Sequence, residues 1–252
     1  MKKLGIILTA YGLEEFVEPC LNPWKTFDVH FSCVSFQFEG FDAQDNKKCI
    51  NELKKFLPSQ SIFYDEKKIL KEHDARNIGL NYLKNDTEID TFLILDIDEI
   101  YTEKDIENLL YFIDGEDFNW VAWAKINFKN YIFDGKSWID NFCPPRIFKR
   151  THQMLDLENF YWDNDITYKD INGKSIDYKQ LANITVPKNK LHIKHLTWLN
   201  TERSKNKIKY QEKHFGLCSY QWNDLQKCVE INQDFYKKSG QIPPTIYNDI
   251  YA

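Results

Sequence analysis

Three carboxylates, those of Asp96, Asp98 and Glu99, stand together directly after a short apolar run. Like charges so close repel one another, and burial at a strand end adds a desolvation cost. A divalent cation such as Mg²⁺ or Mn²⁺ removes both penalties, because it prefers carboxylate oxygens and accepts phosphate oxygens as further ligands. In an extended backbone Asp96 and Asp98 point to the same side. The pattern predicts a metal site, and an acidic helix N-terminus is the alternative interpretation.

The charges of the chain are distributed unevenly along it. The net charge is −5, yet residues 86–118 carry twelve acids and one base, whereas residues 188–214 carry eight Lys or Arg and two acids. An acidic and a basic segment in one domain suit a site that holds a cation and a polyanion together. A solvated charged face is the alternative interpretation of each segment.

The composition indicates a globular protein with a sizeable core. The 252 residues are 42% hydrophobic and 15% aromatic, which excludes disordered and collagen-like classes. The run Leu4–Leu8 is too short for a membrane helix or the core of a signal peptide, so we expect no transmembrane segment and a cytoplasmic location. The six cysteines form no C-x-x-C pair, which favours free thiols over zinc ligands or disulfides.

Apolar strands alternate with amphipathic helices in the first 118 residues. The predicted strands are 4–8, 29–36, 62–64 and 91–95, and the predicted helices are 13–24, 43–56, 69–83 and 103–112. Apolar strands alternating with helices indicate an α/β fold with a mostly parallel sheet and helices on both faces. Ligands of such sheets bind beyond the carboxyl ends of the strands, and Asp96 directly follows the fourth one.

The pattern changes after residue 118. Aromatic-rich strands are predicted at 120–133, 137–150 and 191–199, and helices at 201–214 and 222–238. We therefore divide the chain into a domain of residues 1–200, with halves 1–118 and 119–200, and a helical C-terminal extension, 201–252.

Several motifs in this order resemble the family 2 glycosyltransferases of the GT-A fold. Residues Asp74–Leu80 are similar to the family's "A-R-N-x-G" helix, and Phe92–Glu99 to its apolar strand ending in "D-A-D-E". Pro145–Arg150 resembles the "R-L-F-R" strand of small lipopolysaccharide core and capsule transferases, and His192–His195 the closing "H-Y" segment. The resemblance implies a Rossmann-like GT-A domain, with a nucleotide-binding half before residue 118 and an acceptor half after it.

The resemblance also implies a nucleoside diphosphate sugar donor, by default a uridine diphosphate sugar, and a Mn²⁺ or Mg²⁺ ion. The residues it assigns to nucleotide binding are Thr9, Ala10, Tyr11, Arg76 and Asp96. It assigns Asp98 to the metal and His195 to a further neutral ligand. The family's acidic turn after the second strand is absent here, and Asp65, after the third strand, is our candidate to replace it.

An inverting transferase needs a general base for the acceptor hydroxyl. The segment aligned with the family's "V-H-E" contains Asp163, the better match, and Asp165 two residues later. A polar turn is the alternative interpretation of these residues. We also consider Trp138, Trp162 and Trp198 as stacking platforms for sugar or base rings.

The acceptor is not specified by these motifs. A glycan or a lipid-linked saccharide is the family's commonest acceptor, whereas the basic segment 188–214 allows a nucleic acid, such as a modified base in phage DNA. A non-catalytic nucleotide- or carbohydrate-binding module is the alternative from another class of protein.

Overall fold

The computed structural model describes most of the chain. The described residues are 3–39, 46–132, 136–139, 143–162, 164–187, 191, 193–198, 201–216, 218–223, 228–241, 243–244 and 246–248. The helices are α1 (Glu14–Leu21), α2 (Lys47–Phe56), α3 (Glu72–Lys84), α4 (Glu103–Asp114), α5 (Glu116–Asn119), α6 (Thr201–Phe215) and α7 (Gln233–Ser239). The strands are β1 (Lys3–Thr9), β2 (Val29–Phe38), β3 (Ile62–Leu70), β4 (Ile89–Asp96), β5 (Glu99–Ile100), β6 (Trp123–Lys125), β7 (Phe128–Ile132), β8 (Lys136–Ile139), β9 (Pro145–Lys149), β10 (Thr151–His152), β11 (Leu155–Trp162), β12 (Asp165–Lys169), β13 (Ser175–Asp177), β14 (Asn183–Thr185), β15 (Ile193–Trp198), β16 (Tyr220–Asn223), β17 (Cys228–Ile231) and β18 (Ile246–Asn248).

A seven-stranded, mostly parallel sheet forms the centre of the fold, in the order β14-β6-β9-β4-β1-β2-β3. Strands β4, β1, β2 and β3 are parallel neighbours, and β9 runs antiparallel between β4 and β6. The register pairs Thr9 with both Asp96 and Val34, so the carboxyl ends of three strands meet at one level. The predicted mixed α/β class with a mostly parallel sheet is confirmed.

Side chains of β1 show how both faces of this sheet are covered. Leu4, Ile6 and Leu8 belong to a buried cluster with apolar residues of α1, α2 and α4. Ile7 belongs to a second cluster with α3 and the β11–β12 hairpin. Because side chains alternate along a strand, the continuous apolar run of β1 supplies both layers at once.

Three smaller sheets surround the central one. Strands β18-β8-β7-β15-β5 form one sheet, β10 to β13 an antiparallel one, and β16 and β17 a hairpin. The short strand β5 follows β4 after a turn and pairs antiparallel with β15, which places His195 opposite Glu99. The second half of the chain therefore contributes residues to the end of β4.

The structure corrects the predicted elements at several places. The third strand extends to Leu70, and most of its added residues are exposed because β3 is the edge strand of the sheet. The antiparallel sheet β10–β13 was not predicted. The predicted helix 222–238 is wrong, since β16, β17 and the short α7 occupy this region.

The C-terminal extension is therefore not purely helical. Tyr220 and Ile231 pair across the β16–β17 hairpin and are buried. With Val229 they flank Ile208 of α6 in a small cluster. Strand β18 joins the sheet that contains β8. None of the helices that the structure describes has the length and apolar character needed to cross a membrane.

Gly79 allows α3 to lie close against the sheet. A Cβ atom at this position would lie 2.7 Å from Ser32 Oγ and 3.1 Å from Ile7 Cγ2, both in neighbouring strands. Such contacts are too short for a larger side chain. The glycine thus sets how closely α3, which carries Arg76, approaches β1 and β2.

We predict that Gly79→Leu lowers the free energy of unfolding by about 1–3 kcal/mol or more, because the side chain overpacks the helix–sheet interface. Asn81→Leu, on the exposed side of the same helix, is the matched control and should change stability by less than about 1 kcal/mol. Urea unfolding curves of both variants measure the difference, and equal midpoints would contradict the assigned packing.

Candidate functional site

Asp96 ends β4 beside the end of β1. Its Oδ1 accepts a hydrogen bond from the Thr9 hydroxyl, and its backbone N–H donates to Glu99 Oε2 at 3.2 Å. Residues 97 and 98 form a turn between β4 and β5, so the alternation of an extended strand does not continue from Asp96 to Asp98. The two carboxylates accordingly have different partners.

Two buried arginines hold Asp96 from either side. Arg76 of α3 places Nη2 3.2 Å from Asp96 Oδ1, and Arg146 of β9 places Nη2 2.9 Å from Asp96 Oδ2. The arginines are 1% and 5% exposed. Burial raises the pKa of the Asp96 carboxyl, but Arg146, Arg76 and the Thr9 hydroxyl outweigh it, so the pKa is well below its usual range. Asp96 is therefore ionised.

Arg146 also pairs with Glu99, which is fully buried. Burial raises the pKa of Glu99 to about 8, and the repulsion from Asp96 and Asp98 adds to it, while Arg146 and the backbone N–H of Asp96 act in the opposite direction. Three acids and two arginines thus lie close together in a largely buried cluster. Arg146 is the central cation of this cluster, a role that its motif in the sequence did not indicate.

The contacts of α3 explain two neighbouring residues of its "A-R-N" motif. Besides Asp96, the Arg76 guanidinium bonds Glu72 and Asn164. Asn77 donates from Nδ2 to the Phe160 carbonyl at 2.8 Å and accepts from the Phe160 N–H at 2.7 Å. One helix therefore holds both the end of β4 and the backbone of β11. The contacts of Arg76 are to protein groups, and its expected contact with a phosphate or base stays a prediction.

Asp98 lies next to His195 of β15. The distance from Asp98 Oδ2 to His195 Nε2 is 3.9 Å, and the Leu196 N–H donates to the Asp98 carbonyl at 2.8 Å. On its other side, His195 Nδ1 lies 2.6 Å from Asn130 Oδ1. Because an amide oxygen only accepts, Nδ1 carries the proton and Nε2 presents its lone pair towards Asp98.

The imidazole of His195 is neutral at physiological pH. Burial lowers its pKa to about 4, with the charges of Lys207 and Arg146 acting in the same direction and Asp98 and Asp96 opposing them. A neutral imidazole and a carboxylate are both metal ligands. Octahedral ligands with bonds of ~2.1 Å lie about 3.0 Å apart in cis and about 4.2 Å apart in trans positions, so the 3.9 Å spacing lies within the span that one cation can bridge.

The protein supplies few ligands to such a cation. Within the described part of the chain, no three His, Cys, Asp or Glu side chains are grouped to hold a metal. A cation at Asp98 and His195 would therefore need oxygens from a ligand or water to complete its coordination. Diphosphate oxygens suit this role, since Mg²⁺ is commonly bound by one or two carboxylates plus substrate phosphates.

The structure describes one of the two candidate general bases, Asp165. The other, Asp163, lies outside the described residues. Asp165 accepts from the Tyr178 hydroxyl at 2.6 Å and pairs with Lys179 Nζ at 2.5 Å, so both of its oxygens are engaged. Asn164, between them in the sequence, contacts Arg146 at 3.0 Å.

Of the three tryptophans considered as stacking platforms, Trp162 is 59% exposed and lies on the β11–β12 hairpin. The side chains of Trp138 and Trp198 lie outside the described part of the chain.

The loop after β1 is held by a residue that the sequence analysis missed. Asn46 Oδ1 accepts from the Gly12 N–H at 3.0 Å, and its Nδ2 donates to Ser35 Oγ at 3.0 Å. The amide thereby joins the loop of Tyr11 to the end of β2. Ala10 is buried, and its N–H donates to the Val34 carbonyl.

Asp65 lies two strands away from Thr9, on β3. The register Thr9–Val34–Phe63 places it just beyond the level of Asp96 and three strands away from it, roughly 14 Å across the sheet at about 4.8 Å per strand. Its carboxylate is exposed and accepts from the Lys67 N–H at 2.9 Å. This position is compatible with a base contact, which stays a prediction.

Basic residues of α6 differ in their surroundings. Lys207 is half-buried and its charge acts on His195, whereas Lys205 Nζ lies 4.9 Å from the centre of the Trp222 ring. Lys209 is exposed, and the side chain of Arg203 lies outside the description. Of the described side chains on α6, Lys207 is therefore the one whose charge reaches the candidate metal site.

A cavity of about 700 Å³ lies elsewhere, at the amino ends of the strands. Val29 and Ile89, the first residues of β2 and β4, line it with aromatic side chains such as Phe31 and Phe56. The charged cluster around Asp96 lies at the opposite ends of these strands. The cavity is thus separate from the candidate site.

Comparisons with known proteins give distant similarity only. No protein-family model matches the chain, and neither does any curated protein. Similar solved structures include S. aureus TarS 1-349, with 12% identity and a TM-score of 0.43 over 84% of this chain and 64% of that one. Another S. aureus TarS structure has 13% identity and a TM-score of 0.44 over 86% and 44%. This chain thus spans less than two thirds of their length.

We predict that Arg146→Met lowers the free energy of unfolding by about 3–5 kcal/mol, because the ionised Asp96 loses one of its two guanidinium partners and the buried Glu99 loses the donor to its Oε1. The control is Lys55→Met, which breaks an exposed pair with Glu52 and should cost less than about 1 kcal/mol. Urea unfolding measures both values. Equal losses would mean that the buried cluster is no more important for stability than a surface pair.

Proposed function

We propose that this chain is a cytoplasmic, metal-dependent, inverting glycosyltransferase of the GT-A type. It would transfer a sugar from a nucleoside diphosphate sugar to a hydroxyl of a glycan or lipid-linked saccharide. The observation that carries the proposal is the pair of Asp98 and neutral His195, 3.9 Å apart, beside the ionised Asp96 at the carboxyl ends of parallel strands. This is the end of an α/β sheet at which ligands bind.

The donor would lie across the ends of β1, β2 and β4. Asp96 retains partial exposure, so it can accept a ribose hydroxyl while both arginines hold it in place. The loop of Thr9, Ala10 and Tyr11 would border the nucleotide, and Asp65 would approach the base. Uridine diphosphate is the default nucleotide, on the sequence resemblance alone.

Asp98 and His195 would hold a Mn²⁺ or Mg²⁺ ion against the diphosphate. When bound, such an ion stabilises the negative charge that grows on the leaving diphosphate. Asn130 keeps the imidazole in the required tautomer, and Lys207 adds positive charge on the same side. These residues account for departure of the leaving group.

Asp163 would take the proton of the acceptor hydroxyl. The hydroxyl oxygen would at the same time attack the anomeric carbon from the face opposite the leaving diphosphate. Two observations favour Asp163 over Asp165. Asn164, the next residue, contacts the arginines that hold Asp96, whereas the Asp165 carboxylate is already paired with Lys179 and Tyr178. Both oxygens of Asp165 are thus engaged by protein groups and would have to leave them to reach an acceptor hydroxyl. Trp162 on this hairpin would offer a ring face to an acceptor sugar.

We expect the protein, with Mn²⁺, to release a nucleoside diphosphate from one member of a panel of nucleotide sugars. The panel is run with glycan, lipid-linked and DNA acceptors. Asp98→Asn should abolish turnover and weaken binding of uridine diphosphate, because the cation loses the carboxylate that would hold it together with His195. Calorimetry with Mn²⁺ and with EDTA measures that binding. Metal-independent binding, unchanged in Asp98→Asn, would refute the metal assignment.

We further predict that Asp163→Asn lowers kcat by about 10²–10⁴-fold, the usual contribution of a positioned base, without weakening nucleotide binding. Asp165→Asn is the matched control, two residues away on the same hairpin, and should have a smaller effect. Single-turnover rates with saturating donor measure the chemical step. A large loss in Asp165→Asn with a small one in Asp163→Asn would transfer the role to Asp165.

A further inference from the structure

One side chain joins the candidate nucleotide site to the β11–β12 hairpin. Asn164 Oδ1 accepts from Arg146 Nη1 at 3.0 Å and also from Arg76 Nη1. The same two arginines hold Asp96 through their Nη2 atoms. A single amide oxygen therefore lies between two guanidinium groups that both also contact the Asp96 carboxylate.

The strands of the hairpin are anchored independently of this contact. Asn77 holds the backbone of Phe160, and Asp165 is paired with Tyr178 and Lys179 at the start of β12. These bonds fix the strands against α3 and the segment after β13. Asn164 instead lies in the turn, so its bond ties the turn to the charged cluster.

The two acceptors that the arginines share differ in strength. A carboxylate accepts charge-assisted hydrogen bonds, whereas an amide oxygen is a neutral and weaker acceptor. Asp96 holds both guanidinium groups where their Nη1 atoms reach Asn164, so a ligand that fixes Asp96 also fixes this bond, and loss of the Asp96 charge loosens it. The weaker bond, to Asn164, is the one that should respond most.

We propose that Asn164 is a positioning residue that couples occupancy of the nucleotide site at Asp96 to the geometry of the acceptor-side turn. The coupling rests on the proposed function for its ligand, a nucleoside diphosphate. Asn164 follows β11, which ends at the exposed Trp162. Donor binding would therefore order the part of the hairpin that we assign to the acceptor. Asn164 itself touches neither reactant in this assignment.

A double-mutant cycle without ligand tests whether Asn164 links Asp96 to the turn. Backbone hydrogen exchange of residues 157–169 is measured in the wild type, Asp96→Asn, Asn164→Ala and the double variant. Each single change should speed exchange of this segment by about 5-fold or more, the lower range of typical site-to-site coupling. The double variant should be no faster than Asn164→Ala, because both changes break one connection. Multiplying effects, or an unchanged Asn164→Ala, would overturn the proposal.

Two further variants separate coupling from general loosening. Asn159→Ala removes the same side-chain type from the same hairpin, where its Oδ1 accepts from Thr167 at 2.7 Å without touching an arginine. It should leave the effect of Asp96→Asn unchanged. Asn164→Asp keeps an acceptor oxygen between the arginines and should restore the wild-type exchange rate. Failure of Asn164→Asp to restore it, with the protein folded by circular dichroism, would refute the role of that oxygen.

In the second part of the experiment, uridine diphosphate with Mn²⁺ is added as the ligand. It should slow exchange of residues 157–169 in the wild type and in Asn159→Ala, but not in Asn164→Ala. Loss of this protection in Asn164→Ala, with nucleotide affinity retained, supports coupling. Equal protection in Asn164→Ala overturns it. If the nucleotide fails to bind the wild type while the ligand-free cycle holds, the donor assignment fails and the coupling between Asp96 and the turn stands.

Discussion

The candidate site depends on two buried arginines that hold the ionised Asp96 carboxylate at the end of β4. Asp96 is only partly exposed, and removing one partner of a buried ion pair costs about 3–5 kcal/mol. Arg76 comes from α3 and Arg146 from β9, so the charges balance only when helix, antiparallel strand and central sheet are assembled. Gly79 contributes by allowing α3 to approach the sheet closely. The charges of the site are therefore compensated only when α3, β9 and the rest of the central sheet have come together.

Strands β1, β2 and β4 of the central sheet could be predicted from sequence because their centres are buried on both faces. Apolar runs such as those in β1 and β4 are unfavourable in contact with water. Periodicity failed where burial is partial. The exposed end of β3 has no apolar pattern, and Tyr220, Val229 and Ile231 form a two-stranded hairpin whose partner, Ile208, lies in another element. A pattern within one segment does not reveal which distant surface covers it.

The site shows the same limit. Asp96, Asp98, Arg76 and His195 could be singled out because charged or ligating residues in short motifs have a recognisable chemistry. The amides that position them have no such signature. Asn130 meets His195 across 65 positions, and Asn164 meets Arg76 across 88. Arg146 belongs to a motif that the sequence did reveal. Its role follows only from its contact with Asp96, which lies 50 positions away in the sequence.

The different partners of Asp96 and Asp98 indicate that the two carboxylates have different roles. Asp96 is compensated by two permanent cations and a hydroxyl, so a metal ion would have to compete with them for its oxygens. Asp98 faces a histidine that burial keeps neutral, and this pairing adds no positive charge. A divalent cation at Asp98 would have Nε2 of His195, 3.9 Å from Asp98 Oδ2, as a neutral second ligand. Asp96, held rigidly, is better suited to orient a ligand hydroxyl than to bind the metal.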